Sequence, residues 1–265
     1  MRMFKFALLC LLSGFVSMSY ADTASADFSP AQTQAIQTIV HDYLVKNPQV
    51  LVEVAQALQK QEQGKWQKTA QKEVPQIASK LFDDSTAPVM GNPNGDVTMV
   101  EFFDYQCPHC KEMSAFVDNL LQKDKNLRVV FKVLPIFGAD SKFDSKIALA
   151  AYGQSPEKFM AFHDAMMKLE VPLTPAVALK VAGEVGLDVK KLQADMKNPA
   201  FGTEIQENYD LAKKLNLTGT PAFVMAHVTY DPKTKKMISF KNPVLVPGAV
   251  DEATLVKAIA EARGG

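Results

Sequence analysis

Apolar positions recur at helical spacing in the first third of the chain. Ile36, Ile39, Val40, Tyr43 and Leu44 fall on one face of a helix that Ser29 and Pro30 open, serine as N-cap and proline in the first turn. Asn47 and Pro48 break it. Val50, Leu51, Val54 and Leu58 start a second stripe, which fades into Gln- and Lys-rich sequence around Trp66. Such a stripe has to bury itself, either on the chain's own main domain or on another copy. A narrow seam running into a polar stem suits an arm that pairs copies, and we expect a dimer. Pro75 to Asn94 reads as a connection, ending in the turn residues Gly91 to Asp96.

The pattern then changes. Val97 to Phe103 is nearly all apolar, as in a buried central strand. A helical stripe of Met113, Phe116, Val117, Leu120 and Leu121 follows, and a second strand, Leu127 to Leu134, completes a β-α-β unit. Residues 140 to about 215 read as helical throughout. Their starts are marked at Ser155-Pro156, Thr174-Pro175, Asp188 and Asn198-Pro199, and their candidate stops at Gly183 and Gly186. Strand character returns from Gly219 to Met225. Asp231 to Lys233 marks a turn, Val244 to Gly248 a short edge strand, and Asp251 the cap of a terminal helix through Leu255, Val256 and Ile259.

Composition narrows the function. Hydrophobic residues are 47% and charged residues 22%, which suits a packed core, and 29 basic residues balance 29 acidic ones. That balance argues against a nucleic-acid binder. The first 21 residues differ: Arg2 and Lys5, an apolar run from Phe6 to Val16, then Ser19-Tyr20-Ala21 as a cleavage site, with a second candidate after Ala26. This is the pattern of a secretory signal peptide, so we expect export to the periplasm with cleavage near Ala21. No later stretch is long and apolar enough to span a bilayer. Cleavage removes Cys10 and leaves two cysteines, Cys107 and Cys110.

Those two carry the chemistry. The order strand, Cys107-Pro108-His109-Cys110, helix puts Cys107 at a helix N-terminus, where unpaired N–H groups and the helix dipole favour a thiolate. Cys110 lies one turn on, placed to resolve a mixed disulfide or re-form the pair. His109 adds a donor or positive charge near the thiolate and favours the reduced form. Two other readings are weaker. A zinc site needs two more ligands, and His41, His163 and His227 form no Cys/His knuckle. An inert disulfide over so short a loop would stabilise little.

The segment Val100 to Cys110, together with Gly219-Thr220-Pro221-Ala222-Phe223 and the long helical stretch between them, resembles the DsbA-type periplasmic oxidoreductases of the thioredoxin superfamily over roughly residues 85 to 263. The resemblance implies an α/β thioredoxin fold with an inserted helical subdomain, here preceded by an N-terminal helical arm. It divides the chain into a signal peptide (1–21), a dimerisation arm (22–74), a thioredoxin domain (75–137 and 204–265) and a helical insertion (138–203). Pro221 matches the cis-proline that faces the cysteines. Thr220 matches the residue before it, whose backbone meets the substrate chain; threonine there resembles the isomerases DsbC and DsbG more than DsbA. Glu101 matches a buried acid under the site that could move protons for Cys110. The arm looks like the extension of dimeric or trimeric DsbA-like proteins with isomerase activity. The implied function is to introduce or isomerise disulfides in exported proteins. No cofactor beyond the cysteine pair and no metal is implied, and a membrane partner would reset the pair. The competing reading is a redox-regulated holdase chaperone that grips unfolded chains.

Overall fold

The computed structural model describes residues 28–264; the expected signal peptide and Cys10 lie outside them. The described chain divides at residue 57 into two compact units.

The first unit holds helix α1 (Pro30–Lys46) and the start of α2 (Gln49–Phe82). Ser29 caps α1 in a capping box with Gln32, and Asn47 closes it. No residue of α1 is buried, and the stripe of Ile36, Ile39, Val40, Tyr43, Leu51, Val54 and Leu58 is exposed.

The second unit is a five-stranded sheet with helices on both faces. The strands are β1 (Val89–Gly91), β2 (Val97–Phe103), β3 (Leu127–Val133), β4 (Ala222–Tyr230) and β5 (Met237–Pro247), in spatial order β1-β3-β2-β4-β5. Strands β2 and β3 run parallel, joined by α3 (Pro108–Lys123); the other pairs are antiparallel. Side-chain alternation divides the core in two. Met99 and Phe103 of β2 face α3 and α9 (Glu252–Arg263), whereas Val100 and Phe102 face the second half of α2. Helices α4 (Ala139–Gln154), α5 (Pro156–Met167), α6 (Pro175–Glu184) and α7 (Val189–Asp195) form the insertion, and α8 (Pro199–Lys214) leads back towards β4. Ser155, Thr174, Asp188, Asn198 and Asp251 each cap the expected helix with a side-chain oxygen.

Three expectations need correction. The stretch from Pro75 is not a connection up to residue 94, because α2 runs through Pro75 to Phe82. Its stripe of Val74, Ile77, Ala78, Leu81 and Phe82 is buried on the sheet, and this packing outweighs the backbone bond that proline cannot make. For the same reason residues 22–74 are not one arm: Ala70 and Val74 belong to the core, and the unit boundary falls at residue 57. The last strand is longer than Val244 to Gly248, because its first half pairs with β4 beyond a bulge.

Candidate functional site

Strand β2 ends at Phe103, and the turn Asp104-Tyr105-Gln106 delivers the chain to Cys107, the N-cap of α3. Proline at the first helical position suits that geometry, since its missing N–H is one a helix start leaves unpaired. Asp104 fixes the turn. It is buried, its carbonyl accepts from the Cys107 N–H, and its carboxylate accepts from the backbone N–H groups of Gln106, Ile136 and Phe137. Burial nevertheless holds its pKa above the usual carboxylate value. Gln106 Nε2 donates to Asp144 on α4 at 2.7 Å and to the Leu173 carbonyl at 2.9 Å, tying the turn to the insertion. Asp144 was not singled out from the sequence, and Asp104 and Gln106 entered only as part of the segment Val100 to Cys110, with no role of their own.

Both cysteines are free thiols and buried. Cys107 Sγ donates to the carbonyl of Thr220 at 3.3 Å, and the following Thr220–Pro221 peptide bond is cis. Strand β4 begins at the next residue, antiparallel to β2 with Ala222 opposite Phe102, so the sheet itself sets Thr220 and Pro221 across from Cys107. The structure thus brings Cys107, Pro108, Cys110, Thr220 and Pro221 to one end of the sheet.

The electrostatics of the two thiols diverge. The Cys107 pKa is pulled down to about 5, first by the Cys110 S–H, then by the Thr220 side chain and the backbone N–H groups of Cys110 and His109, against an opposing effect of burial. The Thr220 hydroxyl has no hydrogen-bond partner among the described residues and is free to serve the thiolate. Cys110 is pushed strongly up, by burial first and then by the bond it gives Cys107. One sulfur is set to be a thiolate and the other to keep its proton.

His109 was expected to add a donor or a positive charge near the thiolate, and its backbone N–H is such a donor. The side chain is exposed and its Nδ1 lies 3.1 Å from Glu112 Oε2, which raises its pKa. The attraction of Cys107 is the smallest contribution to that rise, so His109 reaches the thiolate chiefly through its backbone N–H.

Glu101 lies on β2 on the same face as Met99 and Phe103, beneath α3, with Phe131 and Phe223 beside it in the neighbouring strands. It is fully buried, and its Oε1 has no hydrogen-bond partner. Burial pushes its pKa up to about 8, helped by the charges of Asp118 and Cys107. At neutral pH it is a protonated acid under the cysteine pair.

A DSBA-like thioredoxin domain model matches residues 98–260, and a model of the copper resistance protein ScsC N-terminal domain matches residues 32–65. A thioredoxin-like oxidoreductase from Silicibacter pomeroyi DSS-3 is 40% identical, with a TM-score of 0.61 over 71% of this chain and 98% of that one. BcfH of Salmonella enterica Typhimurium is 27% identical, with a TM-score of 0.65 over 88% of this chain and 97% of its own. Disulfide bond formation protein D of Bacillus subtilis (strain 168) is 24% identical over 144 residues, a match that spans 51% of this chain and 65% of that relative's length. Among the described residues no helix is long and apolar enough to cross a membrane. The site geometry, the sheet order and a family match that runs from within β2 through β5 and takes in Cys107, Cys110 and the cis-proline lead to one conclusion: the chain belongs to the DSBA-like thioredoxin domain family.

Proposed function

We propose that this chain is an exported thiol–disulfide oxidoreductase that introduces and isomerises disulfides through Cys107 and Cys110. The carrying observation is the Cys107 sulfur itself: at the N-cap of α3, 3.3 Å from the Thr220 carbonyl, with its pKa at about 5 while Cys110 beneath it keeps its proton.

The steps follow from that asymmetry. In the reductive direction the Cys107 thiolate attacks one sulfur of a substrate disulfide. A Cys107–substrate disulfide forms and the other substrate sulfur leaves as a thiolate. Cys110 then loses its proton and attacks Cys107, expelling the substrate thiolate and leaving the Cys107–Cys110 disulfide; two electrons pass to the substrate. Oxidation of a substrate dithiol is the reverse. The ionised fraction of Glu101, minor at neutral pH with a pKa of about 8, takes the Cys110 proton and later returns it. Isomerisation is the first step followed by attack of another substrate thiol on the mixed disulfide. A thiolate this stable makes the pair oxidising, since stabilising the reduced form raises the potential.

The arm supports the isomerase component. Its apolar stripe is exposed on the single chain, and pairing copies through it would join two cysteine sites in one assembly. Substrates are unfolded or wrongly bonded exported proteins, and a membrane redox partner resets the pair after export past a signal peptide cleaved near Ala21. The same exposed stripe also favours the holdase reading, in which it grips unfolded chains. Refolding of scrambled ribonuclease decides. Activity that vanishes in Cys107→Ala supports the oxidoreductase, whereas suppression of aggregation that survives Cys107→Ala, without any refolding, supports the holdase.

A further inference from the structure

The residue before the nucleophile is anchored in the helical insertion. Gln106 Nε2 donates to Asp144 Oδ2 on α4 at 2.7 Å and to the Leu173 carbonyl, in the segment between α5 and α6, at 2.9 Å. The wall it reaches is fixed. Leu173 and Asp144 are buried, and Lys111 Nζ ties the other end of that segment to α3 by donating to the Leu169 carbonyl at 2.8 Å. On the near side the turn closes on itself. The Gln106 N–H donates to Asp104 Oδ1 at 2.9 Å, and the Cys107 N–H donates to the Asp104 carbonyl at 3.0 Å. Gln106 is thus held from two sides, and the chain passes from it directly into Cys107, the N-cap of α3.

Asp144 is an unfavourable residue for a purely structural place. It is wholly buried, and its Oδ1 has no hydrogen-bond partner among the described residues. Burial pushes its pKa up to about 7, and the bond from Gln106 is the largest effect that opposes this. An apolar side chain would avoid both penalties. What it could not supply is an acceptor for Gln106. The groups that favour the Cys107 thiolate act at hydrogen-bond range: the Cys110 S–H, the Thr220 side chain and the backbone N–H groups of Cys110 and His109. Their effect therefore depends steeply on where the sulfur sits. Resting on the reading that Cys107 is the nucleophile, we propose that Gln106 and Asp144 are positioning residues for it: the insertion grips Gln106 through Asp144 and so holds the Cys107 sulfur in register with the donors at the start of α3.

The direction of the effect separates positioning from plain electrostatics. A nearby carboxylate disfavours a thiolate, so removing the Asp144 charge would by itself lower the Cys107 pKa. Loss of position raises it. The test is the pH dependence of iodoacetamide alkylation at Cys107 in the full reduced chain, mapped by mass spectrometry. A parallel measurement is the equilibrium in which one oxidised glutathione takes the two electrons of the reduced pair, giving the Cys107–Cys110 disulfide and two reduced glutathiones. Gln106→Ala and Asp144→Leu should each raise the alkylation midpoint by on the order of one pH unit, and each should shift the glutathione equilibrium about tenfold towards the Cys107–Cys110 disulfide. The double variant should show the shift of either single one, because both remove the same bond. Asp144→Asn, which keeps an acceptor for Gln106, should recover most of what Asp144→Leu loses. Gln154→Ala controls for general loosening of the insertion. Gln154 bonds both the N–H and the carbonyl of Asp188 from the C-terminal end of α4, and its loss should leave the midpoint in place. Midpoints that fall or stay put in both single variants, or that rise as far in Gln154→Ala, would overturn the positioning role. A parent midpoint near the ordinary thiol value of about 8.5 would instead overturn the thiolate reading on which it rests.

Discussion

The Cys107 sulfur sits at the start of α3, where the Cys110 S–H, the Thr220 side chain and the backbone N–H groups of Cys110 and His109 favour its thiolate. Alkylation by iodoacetamide should therefore change little between pH 9 and 6, then fall about tenfold per unit below the Cys107 pKa of about 5. Linkage gives this a second signature. A thiol whose folded pKa is depressed stabilises the folded reduced protein above its unfolded value, and the stabilisation is lost as pH falls through the folded pKa. The Tm of the reduced form should drop relative to the oxidised form between pH 7 and 4, as scanning calorimetry of the two will show. Glu101 has the opposite sign. Its acid pKa is raised by burial to about 8, so the unfolded state ionises first and stability declines as pH rises from the ordinary carboxyl value to about 8. Glu101→Gln should then raise Tm at pH 8 and leave it nearly unchanged at pH 4. The same substitution should slow release of the Cys107–substrate disulfide severalfold at pH 7, because Cys110 loses its proton acceptor. Release as fast as the parent would remove Glu101 from proton transfer. The sequence showed Glu101 as a charge in an apolar run, but not its missing partner, since that depends on which groups surround it in three dimensions.

The elements owe their legibility to local chemistry. Ser29, Ser155, Thr174, Asp188, Asn198 and Asp251 each start a helix by a bond spanning two or three residues, which a linear reading can see. The passage of α2 through Pro75 was hidden because proline reads as a breaker, although the stripe of Val74, Ile77, Ala78 and Leu81 was there to be weighed against it. Strand β1 escaped notice because three residues carry no period. Lys132 shows the limit of local reading. It stands in the apolar run of β3, fully buried, and its ammonium pairs with Asp84 and with Glu204, which lie 48 and 72 residues away in sequence. Thr86 donates to one of those carboxylates at 2.6 Å, so the cluster joins the segment after α2, strand β3 and helix α8. Removing the lysine leaves two buried carboxylates facing each other. Lys132→Met should cost on the order of 3–5 kcal/mol in urea unfolding of the reduced protein. A loss under about 1 kcal/mol would mean that water reaches the pair.

For the whole molecule, the division at residue 57 sets the experiment on the arm. A cut at residue 74 would strip Ala70 and Val74 from the core, so the informative truncation begins at residue 58. That chain should keep the Cys107 titration of the parent while losing self-association in light scattering, and scrambled-ribonuclease refolding should fall with it. A full chain that runs as a monomer would contradict the arm's role without touching the cysteine chemistry. The central claim, that Cys107 is the nucleophile of disulfide exchange and Cys110 its resolver, is tested most directly by trapping. The Cys110→Ala chain, mixed with an unfolded disulfide-bonded protein and quenched with acid, should carry the substrate in a stable disulfide mapped by mass spectrometry to Cys107, and the parent chain should carry almost none. No adduct on Cys107, or equal adduct in the parent, would contradict the account.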